Sequence, residues 1–387
     1  MNRLHKNYRL FGLKKFSVFN SDIKKSCFAV IFLSFFLLSI LSGCKSDTSY
    51  SMPSLKEVFK KDFLVGASVS DDQISGKDTA VISIIKSQFN SITPENCLKW
   101  ETVHPKPGVY DFDQGDRFVS FGEENHMYIV GHILIDLVQT PAWVFTDSNG
   151  NTVSSDTLLA RMREHLHTVV GHYKGRIDAW QVVNEAIGRD GKFRNTRWYD
   201  IIGEDYVTKA FEFAHEADPD VELYYNGHDM LTNEATDRII QLVDEIKSRG
   251  DRIDGIGVQA HWSLKNPTTE EVENGIVNLA KSGMKVAITE MDITVLPRYG
   301  KEREANPYPD SLPSAVQQEL AIRYGDLFSV FCKHADIINR VNFWGVHDGQ
   351  SWLNYWPVKG RVDYPLLFDR ELKPKPAFYA VVKASEH

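Results

Sequence analysis

The sequence predicts an α/β protein built as a single (β/α)8 TIM barrel, and three observations carry that prediction. Eight short apolar runs of β character recur at 63–67, 89–92, 127–135, 179–183, 221–225, 256–259, 285–289 and 341–345. Between them lie stretches of helical periodicity such as 157–173, 206–217, 234–248 and 315–334, the alternation that a parallel sheet with helical crossovers requires. Most runs also end in polar or aromatic residues: Glu95 and Asn96, His132, Asn184 and Glu185, Asn226, Gln259 and His261, Glu290, then Trp344 and Asp348. In a closed barrel the C-terminal ends of all strands open on one face, so these side chains converge there. An open doubly wound sheet usually has fewer strands and gives no reason for such loading.

The barrel does not begin at residue 1. Lys14, Lys15, Lys24 and Lys25 precede an apolar run at 28–41, which leads into Leu41-Ser42-Gly43-Cys44, a match to the bacterial lipoprotein processing signal. The run is shorter than the roughly 20 residues a membrane span needs. Cys44 is therefore expected to be a lipidated mature N-terminus. That places the protein in the bacterial envelope, on the periplasmic or cell-surface face of the outer membrane; an ordinary secretory signal or a single membrane anchor is the alternative. Ser-rich sequence follows, so the expected organisation is a signal peptide at 1–43, a lipidated tether at 44–54 and a catalytic barrel at 55–387. Losing 1–43 removes seven Lys/Arg and one Asp, which lowers the formal net charge from −8 by six, to −14. So acidic a chain, without a basic patch, is not expected to bind nucleic acid, and membrane contact is expected only through the lipid. Apart from the lipidated Cys44, only Cys97 and Cys332 then remain, far apart and without metal-type spacing, and they read as two unpaired thiols. No metal or other cofactor is called for, and oligomeric state is not legible.

The chemistry comes from two strand ends. Trp180-Gln181-Val182-Val183-Asn184-Glu185 and Ile288-Thr289-Glu290-Met291-Asp292 each carry an apolar run into a carboxylate at the barrel rim. A lone Glu there more often closes a strand or forms a salt bridge. Two of them fit the cleavage of a glycosidic bond, which needs one protonated carboxyl for the leaving oxygen and one ionised carboxylate for the charge developing at the anomeric carbon. Asn184, next to the first Glu, suits a sugar 2-hydroxyl. His261, from the segment Val258-Gln259-Ala260-His261-Trp262, is placed to bridge Glu290 and Asp292 and hold the nucleophile ionised.

Further segments extend the pattern: Thr93-Pro94-Glu95-Asn96-Cys97-Leu98-Lys99-Trp100, Gly131-His132, Gln139-Thr140-Pro141, Gly255-Ile256-Gly257-Val258-Gln259, Phe343-Trp344-Gly345 and Ser351-Trp352. Together with the two acid-bearing strands, and in this order, they resemble glycoside hydrolase family 10, the retaining endo-β-1,4-xylanases, over about 55–382. The resemblance implies Glu185 as acid/base and Glu290 as nucleophile, with His261 and Asp292 orienting it. It also implies a polysaccharide or oligosaccharide substrate. Asn184, Gln259, Lys99 and His132 would hold the sugar at subsite −1, Glu95 and Asn96 would act at −2, and Gln139 would line the same region. Trp344 would be the floor under the −1 sugar, with Trp352 beside it. Retention requires the two carboxyls about 5–5.5 Å apart, whereas inversion needs about 6.5–9.5 Å.

Three departures from the family pattern stand out. After Gly131-His132 a Trp and a His of the −1 wall are replaced by Asp136 and Leu137, which predicts a shifted −1 sugar specificity. Four residues before Glu185 the usual Asp is Gln181, and the missing anion predicts a basic limb of the rate profile displaced to lower pH. Asn226-Gly227-His228-Asp229 keeps the Asn but replaces a Tyr of the leaving-group side with His228, read as a cleft donor and not a metal ligand. The competing reading from another class is a lipid-anchored glycan-binding protein on a catalytically impaired barrel. A third, an enzyme of phosphorylated metabolites, lacks the phosphate-binding loop after the last strands.

Overall fold

The computed structural model describes residues 52–298 and 303–386; the expected signal peptide, Cys44 and most of the tether lie outside them. Nine strands form among the described residues: β1 (Leu64–Val69), β2 (Ser91–Pro94), β3 (Tyr128–Gly131), β4 (Ala179–Asn184), β5 (Glu222–Gly227), β6 (Gly255–Val258), β7 (His261–Ser263), β8 (Lys285–Thr294) and β9 (Ile338–Phe343). Eight of them close a parallel ring, in which β6 pairs with β8 and β9 pairs with β1. The short β7 stands outside the ring and pairs only with the upper half of β8, setting His261 opposite Asp292. The eight apolar runs in the sequence fall on the eight ring strands.

One run overreached. The strand expected over 127–135 ends at Gly131. Ile133, Leu134 and Ile135 are as buried as a central strand, but the regular ladder stops at Gly131 and only Ile135 rejoins β4, through a single bridge to Val183. Leu134 and Ile135 donate their amides to the Gln181 and Val182 carbonyls of β4. Burial made them apolar, and burial alone does not specify a ladder.

The crossovers are helical: α1 (Thr79–Gln88), α2 (Asp113–Glu124), α3 (Ser155–His172), α4 (Asp205–Ala217), α5 (Asn233–Ser248), α6 (Thr269–Ala280), α7 (Ser314–Lys333) and α8 (Pro376–Ala384). Several starts are written into the sequence. Asp78, Ser154 and Thr232 cap α1, α3 and α5 with side-chain oxygens. Thr268 and Glu271 form a reciprocal capping box on α6, at 3.2 and 2.7 Å. No helix among the described residues is long and apolar enough to cross a membrane. Cys97 and Cys332 are free, and burial pushes their thiols up to about 12 and about 11.

The N-terminal mouth of the barrel is plugged. Arg340 of β9, 1% exposed, lies 5.3 and 5.2 Å from the ring centres of Tyr128 and Tyr224. The hydroxyls of both tyrosines donate to Glu222, at 2.7 and 3.0 Å. With that end filled, the opposite mouth is left for chemistry. At the end of β3, Gly131 lets the backbone pass against Trp180 of β4: a Cβ there would meet the indole at 2.2 Å. Both groups are buried, so neither can yield. Gly131→Ala is therefore expected to destabilise the fold by about 1–3 kcal/mol, measured as a lowered denaturant midpoint with an unchanged m-value.

Candidate active site

Glu290 lies inside β8, where strand alternation turns it and Asp292 to the same face. It is 4% exposed, and both carboxylate oxygens are held. Asn226 Nδ2 donates to Oε1 at 2.8 Å, and His261 Nε2 approaches Oε2 at 3.2 Å. The other ring nitrogen of His261, Nδ1, sits 2.9 Å from Asp292 Oδ2, which also accepts from Trp352 Nε1 at 2.7 Å. Burial by itself would lower the His261 pKa. The charge of Asp292 and the bonds to Asp292 and Glu290 outweigh it and raise the imidazole to about 9. Burial by itself would likewise raise Glu290; the His261 hydrogen bond, the charges of His132 and His261, and the Asn226 bond bring it down to about 2. The nucleophile position is therefore a carboxylate held ionised by an imidazolium.

Glu185 follows the last residue of β4 and takes a left-handed backbone, φ 54°. Its amide is tied to the Asn226 carbonyl at 2.9 Å. Gln259 Nε2 donates to Glu185 Oε1 at 3.0 Å and to Asn184 Oδ1 at 2.9 Å. Asn226 Nδ2 donates to that same Asn184 oxygen at 3.0 Å. The two acids are thus joined by one run of amide side chains, from Glu290 through Asn226, Asn184 and Gln259 to Glu185.

The other residues singled out in the sequence surround this pair unevenly. Lys99 Nζ donates to Asn96 at 3.2 Å and to Gln139, and Gln139 Nε2 reaches Asn96 at 3.3 Å and Glu101 at 2.9 Å. Burial pushes the Glu95 carboxyl up to about 7, against the pull of Lys99. Trp344 packs edge-on to His132 and His261, with ring centres 5.1 and 6.1 Å apart. Trp352 stacks on Trp356 at 5.0 Å. His228 pairs with Asp229 at 3.1 Å, and its ring faces that of His261 with centres 6.3 Å apart.

Two of the departures have local partners. The Asp136 carboxylate accepts from the Leu137 amide at 2.7 Å and the Gln139 amide at 3.4 Å, with Asn184 Nδ2 at 3.5 Å. It caps the loop it stands in. Gln181, buried in β4, meets His132 Nδ1 at 2.5 Å, and no hydrogen bond joins it to Glu185. Sequence reasoning missed Arg194, whose guanidinium lies 3.7 Å from Glu185 and 3.9 Å from Asp229. It comes from a loop without periodicity, so no pattern marked it. Among the described residues, no group of three or more His, Cys, Asp or Glu is placed to hold a metal ion.

A barrel with this pair of carboxylates at its C-terminal mouth is the architecture of a glycoside hydrolase. The family model for glycosyl hydrolase family 10 matches residues 54–384, and the chain belongs to that family. It is 39% identical to endo-1,4-beta-xylanase A of Xylanibacter ruminicola, over 91% of this chain and 98% of that one. It is 41% identical to a beta-1,4-xylanase of Dictyoglomus thermophilum, over 92% and 98%. A GH10 endoxylanase retrieved from sugarcane soil metagenome superposes with a TM-score of 0.82 at 42% identity, covering 87% of this chain and 100% of that one. Xylanase XynB of Paenibacillus barcinonensis gives 0.81 at 35%, over 86% and 99%. The shifted −1 sugar and the glycan-binding protein without turnover gain no support from these relatives, which are named as xylanases.

The network makes stability depend on pH. His261, raised from 6.5 to about 9, stabilises the fold fully below pH 6.5, and that contribution is lost as pH rises through 9. Glu290, depressed from 4.5 to about 2, contributes above pH 4.5, and its share is lost as pH falls towards 2. The thermal midpoint is expected to fall between pH 6.5 and 9, with that part of the slope missing in His261→Gln.

Proposed function

We propose that the protein is a retaining endo-β-1,4-xylanase. The observation that carries this reading is the Glu290 carboxylate, buried yet ionised and aimed by Asn226 and His261, with a second carboxyl, Glu185, tied to it through amides. Glu290 attacks the anomeric carbon while Glu185 gives its proton to the leaving oxygen, so the glycosidic bond breaks and a glycosyl-enzyme ester forms. Water then attacks that ester, Glu185 takes back a proton, and the product leaves with its original β configuration. Asn184, Gln259, Lys99 and His132 bind the −1 sugar, Glu95, Asn96 and Gln139 the sugar beyond it, and Trp344 and Trp352 offer apolar faces for sugar C–H groups.

The substrate is extracellular polysaccharide, and the N-terminal sequence fits an enzyme anchored through Cys44 to the bacterial envelope. The acidic charge fits a neutral glycan and not a nucleic acid.

A 2-fluoroxylosyl trapping reagent is expected to add one glycosyl mass to the wild type and none to Glu290→Ala. A label that persists in the variant overturns Glu290 as nucleophile. In Glu185→Ala, turnover of xylan is expected to fall by roughly 10²–10⁴-fold, and xylosides whose leaving group needs no proton to lose far less. An equal loss on both removes Glu185 from the acid role.

A further inference from the structure

Beside His261 opens a cavity of about 840 Å³, lined among others by His228, Asp229, Glu271, Arg189 and Arg298. It lies on the acid/base side of the centre, because Arg194 touches both Glu185 and the cavity wall at Asp229. In the proposed reaction that is the side from which the leaving group departs. Ligand cavities run from roughly 300 to 1,000 Å³, so this one has room for a leaving sugar and a branch upon it.

Its charges are unevenly matched. Asp229 is paired with His228, and Arg189 lies close enough to act on both Asp229 and Glu271. Arg298 has no such partner. It is 9% exposed, Nη1 donates to the His261 carbonyl at 2.7 Å, and the guanidinium packs 5.4 Å from the ring centres of Trp352 and Trp356. Nε has no hydrogen-bond partner, and no carboxylate among the described residues lies within ion-pair distance. Arg361 stands near it, 4% exposed, with Nε and Nη2 also unpartnered; the charge of Asp363 supports it and that of Arg298 opposes it. The acid closest along the chain, Asp363, is spent on Thr294 and on the amides of Val295 and Tyr364. A buried guanidinium such as that of Arg298, with no carboxylate at ion-pair distance, is costly unless an anion completes it.

We propose that Arg298, backed by Arg361, binds a carboxylate, and that this carboxylate is a uronic-acid branch on the leaving-group half of the substrate chain. The inference rests on the hydrolase reading above. A planar carboxylate suits a guanidinium. A doubly charged phosphate does not suit a cavity that Asp229 and Glu271 also line. A branch, and not the backbone, must carry the charge, since the backbone sugars of a xylan are neutral.

The test compares two forms of one substrate: a xylan oligosaccharide bearing uronic-acid branches, and the same material with its carboxyls reduced to alcohols. Wild type is expected to favour the acidic form in kcat/KM by about tenfold, mostly through KM. Arg298→Met should bring that ratio close to one, and Arg298→Lys should keep part of it. Because each variant is read as a ratio, a general loss of activity cancels. Equal rates on the two forms in the wild type, or a ratio unmoved by Arg298→Met, overturn the branch site while the hydrolase stands. If the wild type cleaves neither form, the hydrolase reading fails, and the branch site with it.

Discussion

The imidazolium of His261, wedged between Glu290 and Asp292, is the interaction on which the rest of this mouth depends. Two carboxylates on one strand, two residues apart and facing one way, would repel in a buried site. One proton on His261 satisfies both. Burying such charges is tolerable only with close geometry and further hydrogen bonds, and the fold supplies them: Trp352 for Asp292 and Asn226 for Glu290. The three-residue β7 makes sense in these terms. It adds nothing to the ring, but its register against β8 sets His261 opposite Asp292.

The amide run between the acids carries that order across the barrel. Asn226 spends its two Nδ2 hydrogens on Glu290 and Asn184, and its Oδ1 accepts from Thr289 at 2.7 Å, so its orientation is fixed from three sides. Asn184 and Gln259 pass the constraint on to Glu185. The environments of the two acids are nonetheless unequal. The Glu290 side chain is 6% exposed and touches an imidazolium, whereas Glu185 stands at a strand end, 23% exposed. Fixed ionisation suits a nucleophile, and access to water suits a group that must give a proton and take it back.

Much of this was legible in the sequence because ring strands are buried and short. Apolar runs ending in Glu185 and Glu290 marked the acids, and helical periodicity at 157–173 and 234–248 marked crossover helices whose caps, Ser154 and Thr232, the structure adds. What was not legible lies where burial and ladder pairing part company. Ile133 and Leu134 are core residues on irregular backbone and Ile135 keeps only one bridge, to Val183, so periodicity extended β3 too far. Arg194, Arg298 and Arg361 come from loops, where no period records which side chains meet. Gln181 was noticed as an absent charge next to Glu185, but its contact is with His132. Spacing along a strand gives the face of a side chain and not its partner.

The departures from the family pattern therefore weigh differently once their partners are known. Asp136 is held by its own loop amides and by Asn184 Nδ2, and the Trp198 indole donates to its carbonyl at 3.1 Å, so its carboxylate has partners within the protein. Changes on the leaving-group side are not absorbed. Gly227-His228 opens onto the large cavity, and there Arg298 keeps a charge that no carboxylate among the described residues pairs. A centre whose two buried carboxylates share one imidazolium, beside a cavity with a cation left over, divides its work. The reaction is fixed by the closed network around Glu290, and discrimination among substrates falls to the open side, where a ligand's own charge completes the balance.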